Sequence, residues 1–409
     1  MTPPLDLRPL NPFFRLPRLL ADITPGPSPR ADGQPLDLGI GDPRTGMPAL
    51  GLEAMQAASA GWSSYPPFQG HPDLLAAAAA WLTKVCDLPE GFIEKAGRVV
   101  PVSGSREGLF FLTQAALTAK RHRLSPDQRP VVLLPDPGYH VYAGAVLAAD
   151  GDPYFVRVDA AGGHLPDFTQ VPDEILARTA MACFCSPANP QGSAASAAQL
   201  EAALSLARER DFLLVSDECY GDLYFGERPA GGLSIAAASG SLGGLVTAHS
   251  LSKRSGAPGL RCGFLTGDSA ILDAVEGLLR FGGAGMPLPV QRAAIALLGD
   301  EEHVAANRAF YGQLMGLAEQ HLGKPFGWQA PDGGFFAWLD VSGTHCGDGE
   351  TAAKHLWREA GIRTLPGAYM SLSMQGEAEN PGRPYLRIAL VDAPDLVESA
   401  LARIAALLL

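Results

Sequence analysis

Residues 181–220 read MACFCSPANPQGSAASAAQLEAALSLARERDFLLVSDECY, and this stretch decides the fold. Its apolar run at 181–185 predicts a buried strand, the apolar spacing over 197–210 predicts an amphipathic helix, and the run at 212–216 predicts a second strand. A strand, a helix and a strand in this order predict two parallel neighbouring strands joined by a crossover helix.

The alternation of strands and helices continues on both sides of this stretch. Because crossover helices cover a parallel sheet, we predict an α/β fold with a mainly parallel sheet between two helical layers. Ligands of such sheets bind beyond the carboxyl ends of the strands, so polar residues that follow an apolar run are the candidates for a site. The further predicted segments are strands at 99–102, 131–134, 154–158, 245–249, 262–266 and 385–389, and helices at 106–118 and 141–149.

The length and composition are those of a globular protein. With 409 residues, of which 47% are hydrophobic and 18% charged, the chain is expected to form two domains, or one large domain with an accessory part. The 31 basic and 43 acidic residues give a net charge of −12, which disfavours nucleic acid as a partner. The first twenty residues lack an uninterrupted apolar segment, so we expect no signal peptide, no membrane span and a cytoplasmic location. The six cysteines form no C-x-x-C pair, so no metal site is predicted.

Two segments rich in Gly and Pro indicate the domain organisation. The segment 5–42 predicts an extended arm with short helical pieces, and the segment 281–290 separates the strand–helix region from the later helices. We therefore predict an N-terminal arm with part of a small domain at 1–48, a large domain that carries the site at 49–285, and a small C-terminal domain at 286–409.

The first candidate site residue is Lys253, in the segment 250–261, SLSKRSGAPGLR, which follows the strand 245–249. A lysine amine condenses with an aldehyde only when it is deprotonated, and a partly desolvated, electropositive pocket promotes that state. Ser250, Ser252 and Arg261 are suited to bind a phosphate nearby. Taken alone, Lys253 is better interpreted as an ordinary loop lysine.

Asp217 and Tyr220 follow the strand 212–216. A buried aspartate normally needs a cation, which a protonated ring nitrogen of a ligand would supply, and Tyr220 would offer a phenol to the same ligand. The alternative is that Asp217 caps the N-terminus of a helix.

Two further turns follow predicted strands. Asn189 lies between two prolines, which would fix the loop so that the amide points into a site, or would simply end the strand. Gly104, Ser105 and Arg106 lie between the strand 99–102 and the next helix, where free N–H groups favour an anion, although such turns are common in α/β proteins.

Tyr139 and Arg387 complete the set of candidates. Tyr139 follows the strand 131–134 and would either stack on a flat ring or pack in the core. Arg387 lies within the apolar strand 385–389 and needs a partner. Its guanidinium matches the two oxygens of a carboxylate, which belongs either to an amino-acid ligand or to an acidic residue of the protein.

Together and in this order, these motifs resemble the fold-type I aminotransferases, the aspartate aminotransferase superfamily, over essentially the whole chain. The resemblance implies a large domain with a mainly parallel seven-stranded sheet between helices, plus a smaller α+β domain. It implies pyridoxal 5′-phosphate as the cofactor, held as a Schiff base by Lys253, which also moves the proton in catalysis. Asp217 would pair with the pyridine nitrogen, Asn189 and Tyr220 would bind O3′ of the ring, and Tyr139 would stack on it.

The resemblance also implies the contacts of the cofactor phosphate and the substrate. Tyr65 matches a tyrosine that reaches the phosphate of the neighbouring subunit, which implies a homodimer with shared active sites. Gly41 and Arg387 match contacts to the substrate carboxylate. The positions that match the phosphate-binding cup are Gly104, Ser105, Arg106, Ser250, Ser252 and Arg261.

Within the superfamily, the segments 103–107, 216–220 and 250–261 look most like those of proteobacterial N-succinyldiaminopimelate aminotransferases. This implies amino transfer between N-succinyl-LL-2,6-diaminopimelate and 2-oxoglutarate, in the synthesis of lysine and meso-diaminopimelate. Gln191 and Asp73 depart from the usual family pattern. Rival interpretations are an aminotransferase for aspartate, alanine or aromatic substrates, and a lyase of the same fold that acts on cysteine–sulfur bonds. A cofactor-binding regulatory domain is disfavoured because no basic helix-turn-helix segment is present.

Overall fold

The computed structural model describes residues 6–372 and 380–409. Residues 1–5 of the predicted arm and residues 373–379 of the predicted C-terminal domain lie outside these ranges. The strands are β1 (Leu36–Asp37), β2 (Arg98–Val102), β3 (Val131–Asp136), β4 (Asp152–Arg157), β5 (Thr179–Cys185), β6 (Leu213–Asp217), β7 (Leu245–Ser250), β8 (Gly263–Gly267), β9 (Phe336–Asp340), β10 (Ile362–Arg363), β11 (Leu365–Pro366) and β12 (Tyr385–Ala389).

Helices precede, separate and follow these strands. They are α1 (Pro12–Leu20), α2 (Ala49–Ala57), α3 (Pro72–Val85), α4 (Phe92–Ala96), α5 (Ser105–Arg121), α6 (Val141–Ala148), α7 (Asp173–Leu176), α8 (Ala197–Glu209), α9 (Gly232–Ala238), α10 (Leu251–Arg254), α11 (Ser269–Gly282), α12 (Leu288–Gly299), α13 (Glu302–Ala318), α14 (Lys324–Phe326), α15 (Gly349–Ala360) and α16 (Pro394–Leu408).

The central sheet has seven strands in the order β2-β8-β7-β6-β5-β3-β4. Its strands are parallel except β8, which runs antiparallel to both β2 and β7. Helices α5, α6 and α11 cover one face, and α3, α8, α9 and α12 cover the other, so that β5 is buried along its whole length. This explains why its sequence is a continuous apolar run and not an alternating one.

The helix α8 shows how the local sequence specifies these elements. Ser196 accepts a hydrogen bond from the N–H of Gln199, and the Gln199 side chain bonds back to the N–H of Ser196, which forms a capping box. The buried residues Leu200, Ala203 and Leu204 then lie on one face of the helix, because their spacing matches its period.

The chain also forms two smaller sheets. The strands β11, β12 and β9 form an antiparallel sheet, and β1 of the N-terminal arm pairs with β10. Helices α13, α15 and α16 cover this sheet and share one core with it. The arm also contains α1, which packs on Trp357, Leu365 and Tyr369 and is the longest of its helical pieces.

The predicted fold class is confirmed: a mostly parallel seven-stranded sheet lies between two helical layers. The domain division at 48 and 285 stays a prediction. The helix α12 packs on α2 and α3 within the core of the central sheet. This packing favours placing the boundary between the large and the C-terminal domain after Gly299 and not after residue 285. No helix in the described ranges is long and apolar enough to cross a membrane.

Candidate active site

A cavity of about 370 Å³ lies at the carboxyl ends of β5, β6 and β7. Strands from the middle of the sheet and the arm segment 40–42 meet there with Arg387 of β12. The predicted site residues that line it are Gly41, Ser105, Arg106, Tyr139, Asn189, Asp217, Tyr220, Ser250, Ser252, Lys253, Arg261 and Arg387. Gly104 lies against Arg261 at the edge of the cavity, whereas Tyr65 is fully exposed and is not among the lining residues.

Lys253 lies in the short helix α10, directly after β7. The hydroxyl of Ser250 caps this helix by accepting a hydrogen bond from the N–H of Ser252 at 3.2 Å. The Lys253 amine donates to the carbonyl oxygen of Gly41 at 2.7 Å and lies 5.1 Å from the centre of the Phe335 ring. Burial lowers the pKa of Lys253 to about 8, although the nearby Asp42 carboxylate opposes this shift. The geometry therefore favours an amine that is partly deprotonated near neutral pH.

Asp217 is the last residue of β6 and is 3% exposed. Its carboxylate accepts hydrogen bonds from the Tyr142 hydroxyl at 2.5 Å and from the N–H of Cys219 at 3.2 Å. The second bond closes a turn, and no helix begins there, so Asp217 is not the N-cap that the sequence left open. Both partners are neutral, and no ion pair joins this carboxylate to a cation within residues 6–372 and 380–409. A cationic ligand group would complete its environment.

Arg387 lies in β12 and is also 3% exposed. Its two terminal nitrogens donate to the carbonyl oxygen of Gly39 at 2.7 Å and to the side-chain oxygen of Asn189 at 3.1 Å. The guanidinium lies 4.2 Å from the centre of the Phe336 ring, and its Nε has no hydrogen-bond partner. Burial lowers the pKa of Arg387 to about 10. Among the residues that the structure describes, no acid pairs with Arg387. The alternative that Arg387 forms a salt bridge with an acidic residue of the protein therefore does not hold within these residues.

Gly104 and Arg261 form one end of the cavity, where α5 begins. Gly104 has a φ of +86°, and a Cβ at this position would lie 2.3 Å from the Arg261 guanidinium. Arg261 donates to the carbonyl oxygens of Ser103 at 3.1 Å and Pro258 at 2.9 Å, which fixes the guanidinium beside the start of the helix. Glycine is therefore needed here for its conformation and for space. A helix N-terminus next to an arginine is suited to bind a phosphate.

Tyr139 and Arg106 both line the cavity and contact each other. The Nε of Arg106 donates to the Tyr139 hydroxyl at 3.0 Å. The Tyr139 ring meets those of His140 and Tyr142 edge to face, at centroid distances of 5.2 and 5.4 Å. Tyr139 thus packs on aromatic neighbours and also lines the cavity, and stacking on a flat ring stays a prediction. Burial, followed by the neighbouring arginines 106 and 387, lowers the pKa of His140 to about 4.

Several cavity residues were not predicted from the sequence. Cys219 and His140 adjoin predicted site residues, so their positions in the motifs could have indicated them. Phe13 and Phe336 come from the arm and from β9, and no local pattern marks them. The complete set is Phe13, Ile40, Asp42, His140, Cys185, Cys219, Pro258 and Phe336.

The two departures from the family pattern have structural partners. The Gln191 side chain is buried and donates to the carbonyl oxygen of Pro137 at 3.1 Å, so it joins two loops beside the cavity. Asp73 accepts a hydrogen bond from Arg292 at 2.6 Å, which links α3 to α12. Neither residue lines the cavity.

Comparisons with known proteins agree along the length of the chain. The family described as aminotransferase class I and II matches residues 34–404. The 4-dedimethylamino-4-oxo-anhydrotetracycline transaminase OxyQ of Streptomyces rimosus is 31% identical over 90% of this chain and 92% of its own length. An LL-diaminopimelate aminotransferase of Desulforudis audaxviator is 31% identical over 95% of this chain and 93% of its own. The structure of an aminotransferase from Neisseria meningitidis superimposes with a TM-score of 0.87 at 33% identity, covering 97% of both chains.

The fold and the cavity define a fold-type I pyridoxal-phosphate enzyme. The chain belongs to the class I and II aminotransferases, whose members use pyridoxal 5′-phosphate and act on amino acids and 2-oxo acids.

The residues of the cavity fit this cofactor. The Asp217 carboxylate has only neutral partners and can receive the cationic ring nitrogen. The missing side chain at Gly104 leaves the start of α5 accessible to a phosphate beside Arg261. Lys253 presents its amine to the same cavity.

Proposed function

We propose that this enzyme transfers an amino group between N-succinyl-LL-2,6-diaminopimelate and the 2-oxoglutarate/glutamate pair, acting as a cytoplasmic homodimer. The buried Arg387 guanidinium carries the proposal that a substrate carboxylate binds in this cavity, because it lines the cavity together with Lys253 and has no acidic partner in the described chain. Motifs that resemble those of N-succinyldiaminopimelate aminotransferases support the succinylated substrate. Relatives named LL-diaminopimelate aminotransferases support only its diaminopimelate part.

The cofactor would be held by residues at the carboxyl ends of the inner strands of the central sheet. Asp217 would receive the pyridine nitrogen, Asn189 and Tyr220 would bind O3′, and Tyr139 would stack on the ring. The Asn189 oxygen is occupied by Arg387, which leaves its amide nitrogen to donate to O3′. The phosphate would be bound by the start of α5 with Gly104, Ser105 and Arg106, and by Ser250, Ser252 and Arg261.

When bound, pyridoxal phosphate supplies an aldehyde that condenses with amines and a protonated ring that withdraws electrons from the substrate's α-carbon. The protein positions the reacting groups. Arg387 would bind the α-carboxylate in a two-point contact and so fix the orientation of the α-carbon. The Lys253 amine would take the proton from the α-carbon of the amino donor. In the second half of the exchange it would return a proton to the α-carbon of the acceptor. Its lowered pKa suits a base near neutral pH. Asp217 would keep the ring nitrogen protonated.

The proposed dimer would complete each site. Tyr65 is fully exposed, and Phe281, which is 96% exposed, and Trp62 also present apolar surface. Exposed aromatic side chains of this kind are typical of an interface between subunits. Tyr65 would then reach the cofactor phosphate of the partner subunit.

The substrate is tested with purified, cofactor-loaded enzyme. We expect N-succinyl-LL-2,6-diaminopimelate to convert 2-oxoglutarate to glutamate faster than aspartate, alanine, phenylalanine and unsuccinylated LL-diaminopimelate do. If another donor is preferred, the proposed substrate is wrong while amino transfer stands. Pyruvate and ammonia released from a cysteine thioether without a 2-oxo acid would instead support the lyase.

A further inference from the structure

His140 lines the cavity but takes no part in the cofactor and carboxylate contacts proposed above. The residue is 9% exposed, and neither ring nitrogen forms a hydrogen bond or an ion pair with another residue in the described ranges. Buried polar groups normally have a hydrogen-bond partner. The imidazole nitrogens of His140 are therefore available to a ligand in the cavity.

The local structure does not account for a histidine at this position. His140 occupies the N-cap position of α6, but its side chain makes no capping hydrogen bond. His71 holds the same position in α3, and there the Nδ1 atom accepts a hydrogen bond from the N–H of Asp73 at 3.2 Å. A cap would use one nitrogen of the imidazole ring, and His140 keeps both for another partner.

Two aromatic rings fix the orientation of the His140 ring. The Phe13 ring of α1 meets it edge to face at a centroid distance of 5.8 Å, and the Tyr139 ring does so at 5.2 Å. These ring contacts require no hydrogen bond from either nitrogen. The imidazole is thus held in place before a ligand binds, so that binding costs it little conformational freedom.

The charge state of His140 decides which chemical group it recognises. Burial, and then arginines 106 and 387, lower its pKa to about 4, so the ring is uncharged near neutral pH and has one N–H donor and one acceptor nitrogen. A carboxylate in the cavity gains more from the charged donors of the arginines than from a neutral imidazole. The same arginines repel an ammonium group. An uncharged acceptor, such as the carbonyl oxygen of an amide, is the group that suits His140.

We propose that His140 donates a hydrogen bond to an amide carbonyl oxygen of the substrate, so that the enzyme selects diamino acids with an acyl group on the second nitrogen. The inference rests on the proposed function, because the succinylated diaminopimelate carries one such amide. His140 is then a specificity residue that Phe13 and Tyr139 hold in position. The ligand sets its tautomer, since no described protein group bonds to either nitrogen.

Three other roles for His140 predict different results. If the ring only packs between Phe13 and Tyr139, its nitrogens do not affect the binding of any ligand. If it binds a substrate carboxylate, ligands with and without an amide lose affinity equally when it is replaced. If it binds the cofactor phosphate, its loss weakens the binding of the cofactor.

The test compares two unreactive ligands of equal length and charge. One is N-succinyl-L-2-aminopimelate, which lacks the amino group to be transferred, and the other is its analogue with two methylene groups in place of the amide. Their dissociation constants are measured by calorimetry on the cofactor-loaded wild type, His140→Phe, His140→Gln and the control His122→Phe, whose side chain is exposed at the end of α5.

His140→Phe keeps a ring between Phe13 and Tyr139 but removes the donor. We expect it to weaken the binding of the amide ligand about 3- to 10-fold, as for the loss of one hydrogen bond between neutral groups, and to change the binding of the methylene analogue less than about twofold. His140→Gln, whose side chain has an N–H donor, should recover part of the difference. His122→Phe should match the wild type.

The proposal is overturned if the wild type binds the two ligands alike or binds neither, if His140→Phe binds the amide ligand like the wild type, or if this variant weakens both ligands equally. It is also overturned if His140→Phe loses affinity for pyridoxal phosphate in a direct titration while the ratio of the two ligand constants is kept. Neither ligand has an amino group to transfer, so these constants are measured even where no amino transfer is found. Transamination of N-succinyl-LL-2,6-diaminopimelate is scored separately, so a failure of the proposed function and a failure of the His140 contact can be told apart.

Discussion

At the scale of single residues, the cavity holds two deeply buried charges that the described chain does not neutralise. Asp217 and Arg387 are each 3% exposed and have only neutral hydrogen-bond partners there. An unpaired buried charge costs several kcal/mol of folding free energy, and such exceptions are expected at functional sites. A cationic ring nitrogen and a substrate carboxylate would offset these costs when they bind.

The two-point geometry of Arg387 leads to the first prediction. Arg387→Lys keeps the charge but loses the planar pair of donors, so we expect kcat/KM for glutamate to fall at least about 30-fold, which corresponds to about 2 kcal/mol. Single-turnover absorbance changes of the cofactor measure this effect. The matched control is Arg363→Lys, because Arg363 pairs with Asp37 outside the cavity. Equal rates in wild type and Arg387→Lys would contradict the two-point contact.

The lowered pKa of Lys253 predicts a pH dependence. Below about pH 8 the amine is mostly protonated and cannot attack, and above it the amine is free. At pH 7 the free amine is roughly 300-fold more abundant than for a lysine with the ordinary pKa of 10.5.

We therefore expect the rate at which cofactor-free enzyme takes up pyridoxal phosphate to rise with pH and to level off above about pH 8. Borohydride reduction followed by peptide mass mapping measures the attachment to Lys253, and Lys253→Ala is the blank. A rate that keeps rising to pH 10 would mean that burial does not shift this amine.

At the scale of elements, the four-residue helix α10 is held mainly by contacts outside itself. Arg254, next to Lys253 in this helix, is 1% exposed and donates to the carbonyl oxygen of Leu297 at 2.7 Å and to Glu301 at 2.8 Å. The Asn307 side chain donates to the Arg254 carbonyl oxygen at 2.9 Å. Through these bonds α12 and α13 fix the helix that carries the reactive lysine.

Loss of this anchor should destabilise the protein. Arg254→Met leaves polar groups without their donor, so we expect the free energy of unfolding to fall by about 3 to 5 kcal/mol. Urea denaturation followed by circular dichroism measures the change. The control Arg123→Met removes an exposed ion pair and should cost less than about 1 kcal/mol. If both variants unfold alike, Arg254 is not the anchor of α10.

At the scale of the whole molecule, three distant parts of the chain build one cavity. The carboxyl ends of β6 and β7 supply Asp217 and Lys253, the N-terminal arm supplies Gly41, and β12 supplies Arg387. Movement of the arm or of the C-terminal sheet would therefore change the substrate contacts, and it would also disturb Lys253 and Asn189, which are bonded to Gly41 and Arg387. Tyr65 is fully exposed and does not line this cavity.

The dimer predicts complementation between two defective subunits. Lys253→Ala and Tyr65→Ala each damage a site, but a mixed dimer would combine Lys253 of one subunit with Tyr65 of the other in one intact site. We expect mixing after mild dissociation to restore activity, up to about one quarter of the wild-type value for random pairing of symmetric dimers. Tagged subunits and light scattering verify the mixed dimer. No recovery in a verified mixed dimer would place Tyr65 outside the partner's site.

Much of the fold could be predicted because strands buried on both faces are continuous apolar runs. The strand 385–389 has the predicted bounds, and the run 212–216 differs from β6 by one residue at each end. The direction of β8 and the place of α12 could not be predicted, because they depend on pairing and packing between distant segments. In the site, the sequence indicated the residues that follow strands, whereas no local sequence pattern marks Phe13 and Phe336.

The sequence alone determined the alternation of strands and helices and the chemical groups at the strand ends, because periodicity, turn residues and motif spacing are local properties. The tertiary structure decided which of those groups share a cavity and which charges lack a partner. It also directed the Arg106 side chain to Tyr139 and left Tyr65 at the surface. These features depend on burial and on distances between segments far apart in the chain, which local sequence does not encode.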